Sequence, residues 1–331
     1  MTKPIRVGTR RSPLALAQTA QFVEALCRVQ AWERERIEIV GLSTKGDEIL
    51  DRSLTEIGGK GLFTHELEQG LLCGDLDFAV HSLKDLPTRM PDGLTLGCVP
   101  ERDDPHDVLI SLLPAGQEAP TGLDGLPEGA VVGSASLRRV AQLKAARPDL
   151  KTMALRGNIA TRLSKLSEGE DGPQATLLAA AGLNRIRREE PAFDASMQPE
   201  NGTGLHFEAL PPEVMLPAPG QGALGIQCRH GDDAMLAFLA ALDCARTRAA
   251  ISAERAYLAG LEGSCRTPIA ALANVQDGQL ELKAKLFAAD GSDSHSHHAS
   301  GDLSEAAALG HAAAAAAKAE KPHLLPQPAD D

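Results

Sequence analysis

Two arginine-bearing stretches, GSASLRR at 133–139 and ALRGNIATR at 154–162, each stand beside a helix-start signal. Guanidinium forks combined with helix N-terminal amides suit carboxylates and phosphates. Arg138, Arg139, Arg156 and Arg162, with Arg10 and Arg11 from GTRRS at 8–12, therefore outline a candidate anion cleft. Adjacent Arg138 and Arg139 cannot share one helical stripe, and Ser134 and Ser136 add donors at the same strand end. In a chain with 45 acidic and 33 basic residues, such clustering predicts a local site for a small, multiply negative ligand. A second element, FAVHSLKDLP at 78–87, delivers His81, Lys84 and Asp85 to a break enforced by Pro87. If the pleat continued, His81, Leu83 and Asp85 would share one face and Ser82 and Lys84 the other. His81 reads as a structural histidine. A third element is Cys265, which follows Gly263 and Ser264 and precedes Arg266, a loop able to expose a thiolate near a cation.

The elements that must position these groups alternate between β-rich runs and helical periodicity, the mark of α/β units with largely parallel sheets. IRVGT at 5–9 predicts a strand; Ser12 as N-cap and Pro13 in the first turn predict a helix to about Arg28. RIEIVGLST (36–44), a GGKG turn (58–61), a helix from about Phe63 to Leu72 and DFAVHSL (77–83) complete one unit. A Pro- and Gly-rich stretch from Pro100 to Gly129 interrupts the pattern. AVVGSAS (130–136), a helix to Arg147, KTMALR (151–156), a second helix and ATLLAAAG (175–182) then repeat it. Two similar lobes are expected, with VGTRRSPLALAQ (7–18) and VGSASLRRVAQL (132–143) as corresponding starts. Residues 189–213 read as a polar surface loop and 219–228 as a turn and strand. A helix from about Arg248 to Leu261 and a hairpin strand at 279–291 belong to a small third domain. SHSHHASG at 294–301 reads as a solvated polar loop without a metal role, Ala312–Ala317 as helix, and the last ten residues as frayed.

Composition excludes several classes. A net charge of -12 and a pI near 5.3 oppose nucleic acid or anionic membranes as the main partner. No apolar run reaches a bilayer-spanning length and the N-terminus lacks a secretory core, so a cytoplasmic protein is expected. The six cysteines show no metal-ligand spacing, so free thiols are the expectation and metal sites are not. The absence of GxxxxGK[ST] removes the phosphate-loop reading. A two-lobed carboxylate- or oxyanion-binding protein without catalysis explains the arginines equally well, but not Cys265 and Asp85 together.

Taken in order, the motifs resemble the porphobilinogen deaminase (hydroxymethylbilane synthase) family. The likeness runs through GTRRSPLALAQ (8–18), LSTKGD (42–47), GGKGLFTHELE (58–68), AVHSLKDLP (79–87), GSASLRR, LRGNIATRL (155–163), LAAAGLNR (178–185), LPAPGQGALGIQCR (216–229) and GSCRTPIA (263–270). The resemblance implies an α/β fold of three domains: two periplasmic-binding-protein-like lobes and a small α/β C-terminal domain. Residues 1–104 and 217–242 would form domain one, 105–216 domain two, and 243–331 domain three with the cysteine loop. It also implies a transferase of tetrapyrrole biosynthesis that joins four porphobilinogen molecules head to tail on a dipyrromethane cofactor, held as a thioether by Cys265, and releases hydroxymethylbilane by hydrolysis.

By motif matching, Asp85 is the catalytic carboxylate, which would hydrogen-bond pyrrole N–H groups and steady the cationic azafulvene. Lys84, Ser136, Arg138 and Arg139 would bind cofactor; Arg10, Ser12, Arg156 and Arg162, with Gln18 and Arg185, would bind substrate. Lys60 and Phe63 would lie on a mobile cleft loop hinged by GGKG. Pyrrole carboxylates roughly 6 Å apart repel by about 3 kcal/mol at an effective dielectric near ~20, which calls for several opposing cations. The resemblance further implies a monomer. Ser264 stands where the family usually has glycine, the segment from about Glu189 to Ala209 is longer than usual, and the His- and Ala-rich tail has no assigned counterpart.

Overall fold

The computed structural model describes residues 4–44, 64–113, 116–166, 172–196, 204–263 and 267–325. β1 (Ile5–Arg10) passes through Ser12, whose backbone is extended and whose Oγ accepts the Ala15 N–H, into α1 (Pro13–Gln30). Pro at the helix start lacks only an N–H that would have no helical partner, and Ala31 closes the helix in the left-handed region at φ 52. β2 (Ile37–Leu42), α2 (His65–Leu72), β3 (Phe78–Ser82) and β4 (Leu94–Cys98) follow.

The chain then crosses to a second unit of β5 (Asp107–Leu113), β6 (Val131–Gly133), α3 (Leu137–Ala146), β7 (Lys151–Met153), α4 (Ile159–Ser164), β8 (Ala175–Ala179), α5 (Ala180–Glu189), α6 (Phe193–Ser196) and β9 (Gly204–Leu210). It returns with β10 (Leu224–Arg229) and α7 (Asp233–Ala240). The third unit comprises α8 (Ala245–Gly260), the antiparallel strands β11 (Ile269–Gln276), β12 (Gln279–Phe287) and β13 (Ser294–Asp302), and α9 (Ala306–Glu320).

Among the described residues the two lobe sheets have matching orders, β2-β1-β3-β10-β4 and β7-β6-β8-β5-β9. In each, three parallel strands are followed by one antiparallel strand that the chain contributes while changing lobe: β10 returning, β5 arriving. The lobes are therefore joined by two crossovers, before β5 and before β10, and these touch. Asp103 N donates to Gly222 O at 3.3 Å, and at Gly222 (φ +87) a Cβ would lie 2.4 Å from the Asp103 carbonyl oxygen, so the close approach requires glycine. Glu254 of α8, fully buried, binds both crossovers to the third unit: it pairs with Arg102 at 2.6 Å and accepts from Gly220 N at 2.6 Å and Ala273 N at 2.8 Å.

Three sequence expectations are corrected. The Pro- and Gly-rich interruption contains β5, whose DVLISLL run is buried over its first five residues, because both faces of this inserted strand are covered. The loop expected at 189–213 contains α6 and edge strand β9, anchored by Leu205 and Leu210. SHSHHASG is strand β13, with His295 buried and the remaining side chains at least partly solvated; a polar composition suits the open edge of a sheet. The alanine run does form helix: α9 lies against α8 over a core that includes Tyr257, Leu282, Leu286, Ala313 and Ala317.

Candidate active site

At the end of β3 the pleat stops, and Leu83–Asp85 form a single 3-10 turn, so the alternation expected through Asp85 ends at Ser82. The turn is held from both sides: Leu83 N donates to Ala223 O at 3.0 Å, and Ser82 Oγ donates to Gln18 Oε1 at 3.1 Å. Asp85 remains solvent-reachable, with Arg10 Nη1 3.8 Å from its Oδ2. Behind it, His81 is buried, and loss of hydration lowers its imidazole to about 4, so it is neutral at physiological pH and serves packing, as its sequence context indicated.

Across the crossovers, Ser136 caps α3 by accepting the Arg139 N–H at 3.5 Å, which places Arg138 and Arg139 in the first turn. Both side chains are buried, at 5% and 6% exposure, and both converge on Asp107, which has no exposure at the start of β5. Arg138 Nη1 lies 2.8 Å from Oδ2, while Arg139 reaches Oδ1 through Nη2 at 2.6 Å and Nε at 3.0 Å. Backbone carbonyls complete the clamp: Arg138 donates to Leu216 O at 2.6 Å and Arg139 to Leu177 O at 2.8 Å. Burial works against the Asp107 charge, but the two guanidiniums outweigh it and hold the carboxyl well below the usual range. Burial likewise lowers Arg138, and Asp107 opposes the shift.

Lys84 links the halves. Its Nζ lies 3.4 Å from Gln221 Oε1, and Gln221 Nε2 donates to Asp107 Oδ1 at 3.1 Å. Lys84 is solvent-exposed, so water moderates the shift, but the protein packed near its ammonium and then Arg139 press its pKa below the ordinary lysine value, with Asp85 and Asp107 opposing and Arg138 reinforcing the shift. Arg162, on α4, donates to Gly157 O at 2.8 Å and is lowered to about 10 by desolvation and by neighbouring Arg139 and Arg156. Cations that depress one another's pKa form a site that a multiply negative ligand relieves.

Other expected site residues fall elsewhere. Gln18 and Arg185 line a cavity of about 680 Å³ between α1, α5, the first crossover and the start of α8, and none of Arg10, Lys84, Asp85, Arg138, Arg139, Arg156 or Arg162 lines it. Arg185 donates to Gly222 O at 2.6 Å, and desolvation lowers it to about 10. Lys60, Phe63 and Cys265 lie outside the described residues. In sequence Cys265 falls between α8 and β11, and the sheet that β11 opens packs on the α3 helix that carries Arg138 and Arg139, through Ala141, Leu216, Ala270, Leu272 and Phe287. Of the other cysteines, Cys27, Cys98 and Cys228 are buried, and burial pushes Cys98 up to about 12 and Cys228 to about 11. No group of three or more potential metal ligands occurs among the described residues, and no described helix is long and apolar enough to cross a membrane.

Sequence reasoning missed Asp107 and Gln221. The only signal for Asp107 was an acidic residue followed by a strand-like VLISLL run, and for Gln221 a polar residue between two glycines.

Residues 5–237 match a family described as "Porphobilinogen deaminase, dipyromethane cofactor binding domain", and residues 248–319 match "Porphobilinogen deaminase, C-terminal domain". A porphobilinogen deaminase of Brevibacillus brevis is 46% identical over 297 residues, covering 89% of this chain and 88% of that protein. Solved structures that resemble the chain include the periplasmic VFT2 domain of Bordetella pertussis BvgS, at 15% identity and TM-score 0.39, covering 72% of this chain and 86% of that one. Another is the periplasmic aliphatic sulphonate binding protein SsuA of Escherichia coli, at 12% identity and TM-score 0.39, covering 79% and 71%.

Proposed function

The chain belongs to the porphobilinogen deaminase family, and from that premise we propose that Asp85 is its catalytic carboxylate and that the surrounding cations receive the carboxylates of cofactor and substrate. The activity is that of a hydroxymethylbilane synthase, a transferase of tetrapyrrole biosynthesis. It deaminates four porphobilinogen molecules, joins them head to tail on a covalently held dipyrromethane primer, and releases hydroxymethylbilane by hydrolysis.

The primer supplies the pyrrole carbon onto which the chain grows, and Cys265 is its proposed point of attachment. The donor set suits that group, since acetate and propionate arms need cations that are already desolvated and oriented. Arg138, Arg139, Lys84 and Ser136 are assigned to the cofactor, and Arg10, Ser12, Arg156 and Arg162 to substrate. Gln18 and Arg185 are weaker substrate-binding candidates: Gln18 accepts from Ser82 beside the Asp85 turn, and Arg185 donates to Gly222 O on the returning crossover. Asp85 is solvent-reachable and 3.8 Å from Arg10, and its charge would stabilise the cation that develops as ammonia leaves. Domain bounds of 1–104 with 217–242, 105–216 and 243–331 remain part of the proposal, and the presence of three separate sheets supports a three-domain division. A cytoplasmic monomer acting on porphobilinogen, without nucleic-acid or membrane partners, is consistent with the acidic composition.

The observation that supports the site assignment is the chain of contacts that joins the Asp85 turn to the paired arginines: Arg10 lies 3.8 Å from Asp85, Lys84 Nζ 3.4 Å from Gln221 Oε1, Gln221 Nε2 donates to Asp107 at 3.1 Å, and Arg138 and Arg139 both close on Asp107. Intact-protein mass spectrometry tests it: the purified enzyme is expected to carry the added mass of two linked pyrroles, absent from Cys265→Ser. Turnover by protein without that added mass excludes the primer role.

A further inference from the structure

Asp107 and Gln221 have no part in the roles assigned above, yet they connect the two sides of the cleft. Gln221, 1% exposed on the returning crossover, turns its amide nitrogen toward acceptors only: Pro105 O at 2.8 Å, Asp107 Oδ1 at 3.1 Å and His106 O at 3.4 Å. An amide whose nitrogen is so committed can present only its oxygen at the other end, and that oxygen faces the Lys84 ammonium at 3.4 Å. Asp107 is itself immobilised by Arg138 and Arg139. The contacts thus run from the first turn of α3, through the crossover, to the turn that carries Asp85.

We propose that Asp107 and Gln221 are positioning residues: Asp107 fixes the direction of the Gln221 amide, and Gln221 holds the Lys84 ammonium in place between the paired arginines and Asp85. The charge arrangement requires such a device. Charges of both signs act on Lys84: Arg139 and Arg138 disfavour its ammonium while Asp85 and Asp107 favour it, so without Asp107 the two guanidiniums would repel it with one carboxylate fewer in opposition. The role matters for the reaction through the assignment of Lys84 to cofactor binding, but the contact geometry stands apart from that assignment.

The test is the rate at which Lys84 in the holoenzyme is acetylated by an activated acetate ester between pH 6 and 9, followed by peptide mass spectrometry. Only the free amine reacts, so the rate reports the charge environment of Lys84 without reference to turnover. Asp107→Asn removes a negative charge, and Gln221→Met removes the amide oxygen that faces the ammonium; each is expected to speed labelling at pH 7 by about fivefold by lowering the pH at which the amine becomes free. A packing role alone would leave that pH midpoint where it was. An unchanged or raised midpoint in either variant overturns the proposal. Asp107→Asn leaves two buried guanidiniums without a counter-charge; if it does not fold, Gln221→Met decides alone, a lowered midpoint supporting the relay and any other result rejecting it. Failure of the cofactor assignment is separately visible as a Lys84→Gln enzyme that keeps its pyrrole mass and full turnover.

Discussion

Lobe one presents Asp85 on a short, solvent-reachable turn with the Arg10 guanidinium 3.8 Å away, whereas lobe two buries Arg138 and Arg139 around a carboxylate that has no solvent exposure. The sheets behind these groups share one strand order, so the difference lies in what each lobe does with the end of its sheet. In lobe two the ends of α3 and β5 are fused by ionic contacts, and the arginines hold their geometry before any ligand arrives. In lobe one the groups near Asp85 are tied by hydrogen bonds through Ser82 and Leu83, leaving the carboxylate itself lightly held. A preorganised cation platform opposite a loosely held anion suits a chain that must keep one end of a growing ligand fixed while successive units pass a single reacting group.

Substitutions on the two sides should therefore fail differently. Arg139→Leu strands Asp107 with one partner in a site closed to water, and is expected to cost about 3–5 kcal/mol of stability in urea titration, together with loss of the covalent pyrrole mass. An Arg139→Leu protein as stable as the parent would remove the basis of the contrast. Asp85→Ala should leave the urea midpoint unchanged, because a partly exposed pair at this separation contributes little. The same change should lower turnover by about 10²–10³-fold with the cofactor still attached. Turnover and stability falling together in Asp85→Ala would show that lobe one is built like lobe two.

The features read correctly from sequence are those set by local chemistry. Ser12 with Pro13 announces α1, and the helix start read beside GSASLRR carries the two arginines in the first turn of α3. The parallel strands carry their alternation with them. What escaped are the strands that close each sheet from outside the β-α-β order, β4, β5 and β9, since antiparallel insertion depends on where the chain crosses between lobes. Asp107 escaped for the same reason: in ERDDPHD it resembles three neighbouring acidic residues, and only the arrival of β5 beside β8 brings it beneath Arg138 and Arg139. The Gln221 amide is likewise meaningful only once both crossovers meet. Local signals marked the groups proposed to face the ligand, while the groups that hold them were determined by topology.

The two serine caps offer the finest test of the comparison, because they perform the same local task on opposite lobes. Ser12 Oγ accepts Ala15 N at 3.3 Å and Ser136 Oγ accepts Arg139 N at 3.5 Å. Alanine at either position should cost about 1 kcal/mol, since one orphan helix-start N–H loses its acceptor. Aspartate keeps the acceptor and favours the helix N-terminus, so stability should return to the parent value in both Ser12→Asp and Ser136→Asp. Catalysis should not return, because each aspartate adds a negative charge where pyrrole carboxylates are to be received. The expected result is a raised KM in Ser12→Asp and impaired cofactor assembly in Ser136→Asp, with urea midpoints restored in both. Parental kinetics in Ser136→Asp would confine that hydroxyl to helix capping and leave carboxylate recognition on lobe two to the arginines alone.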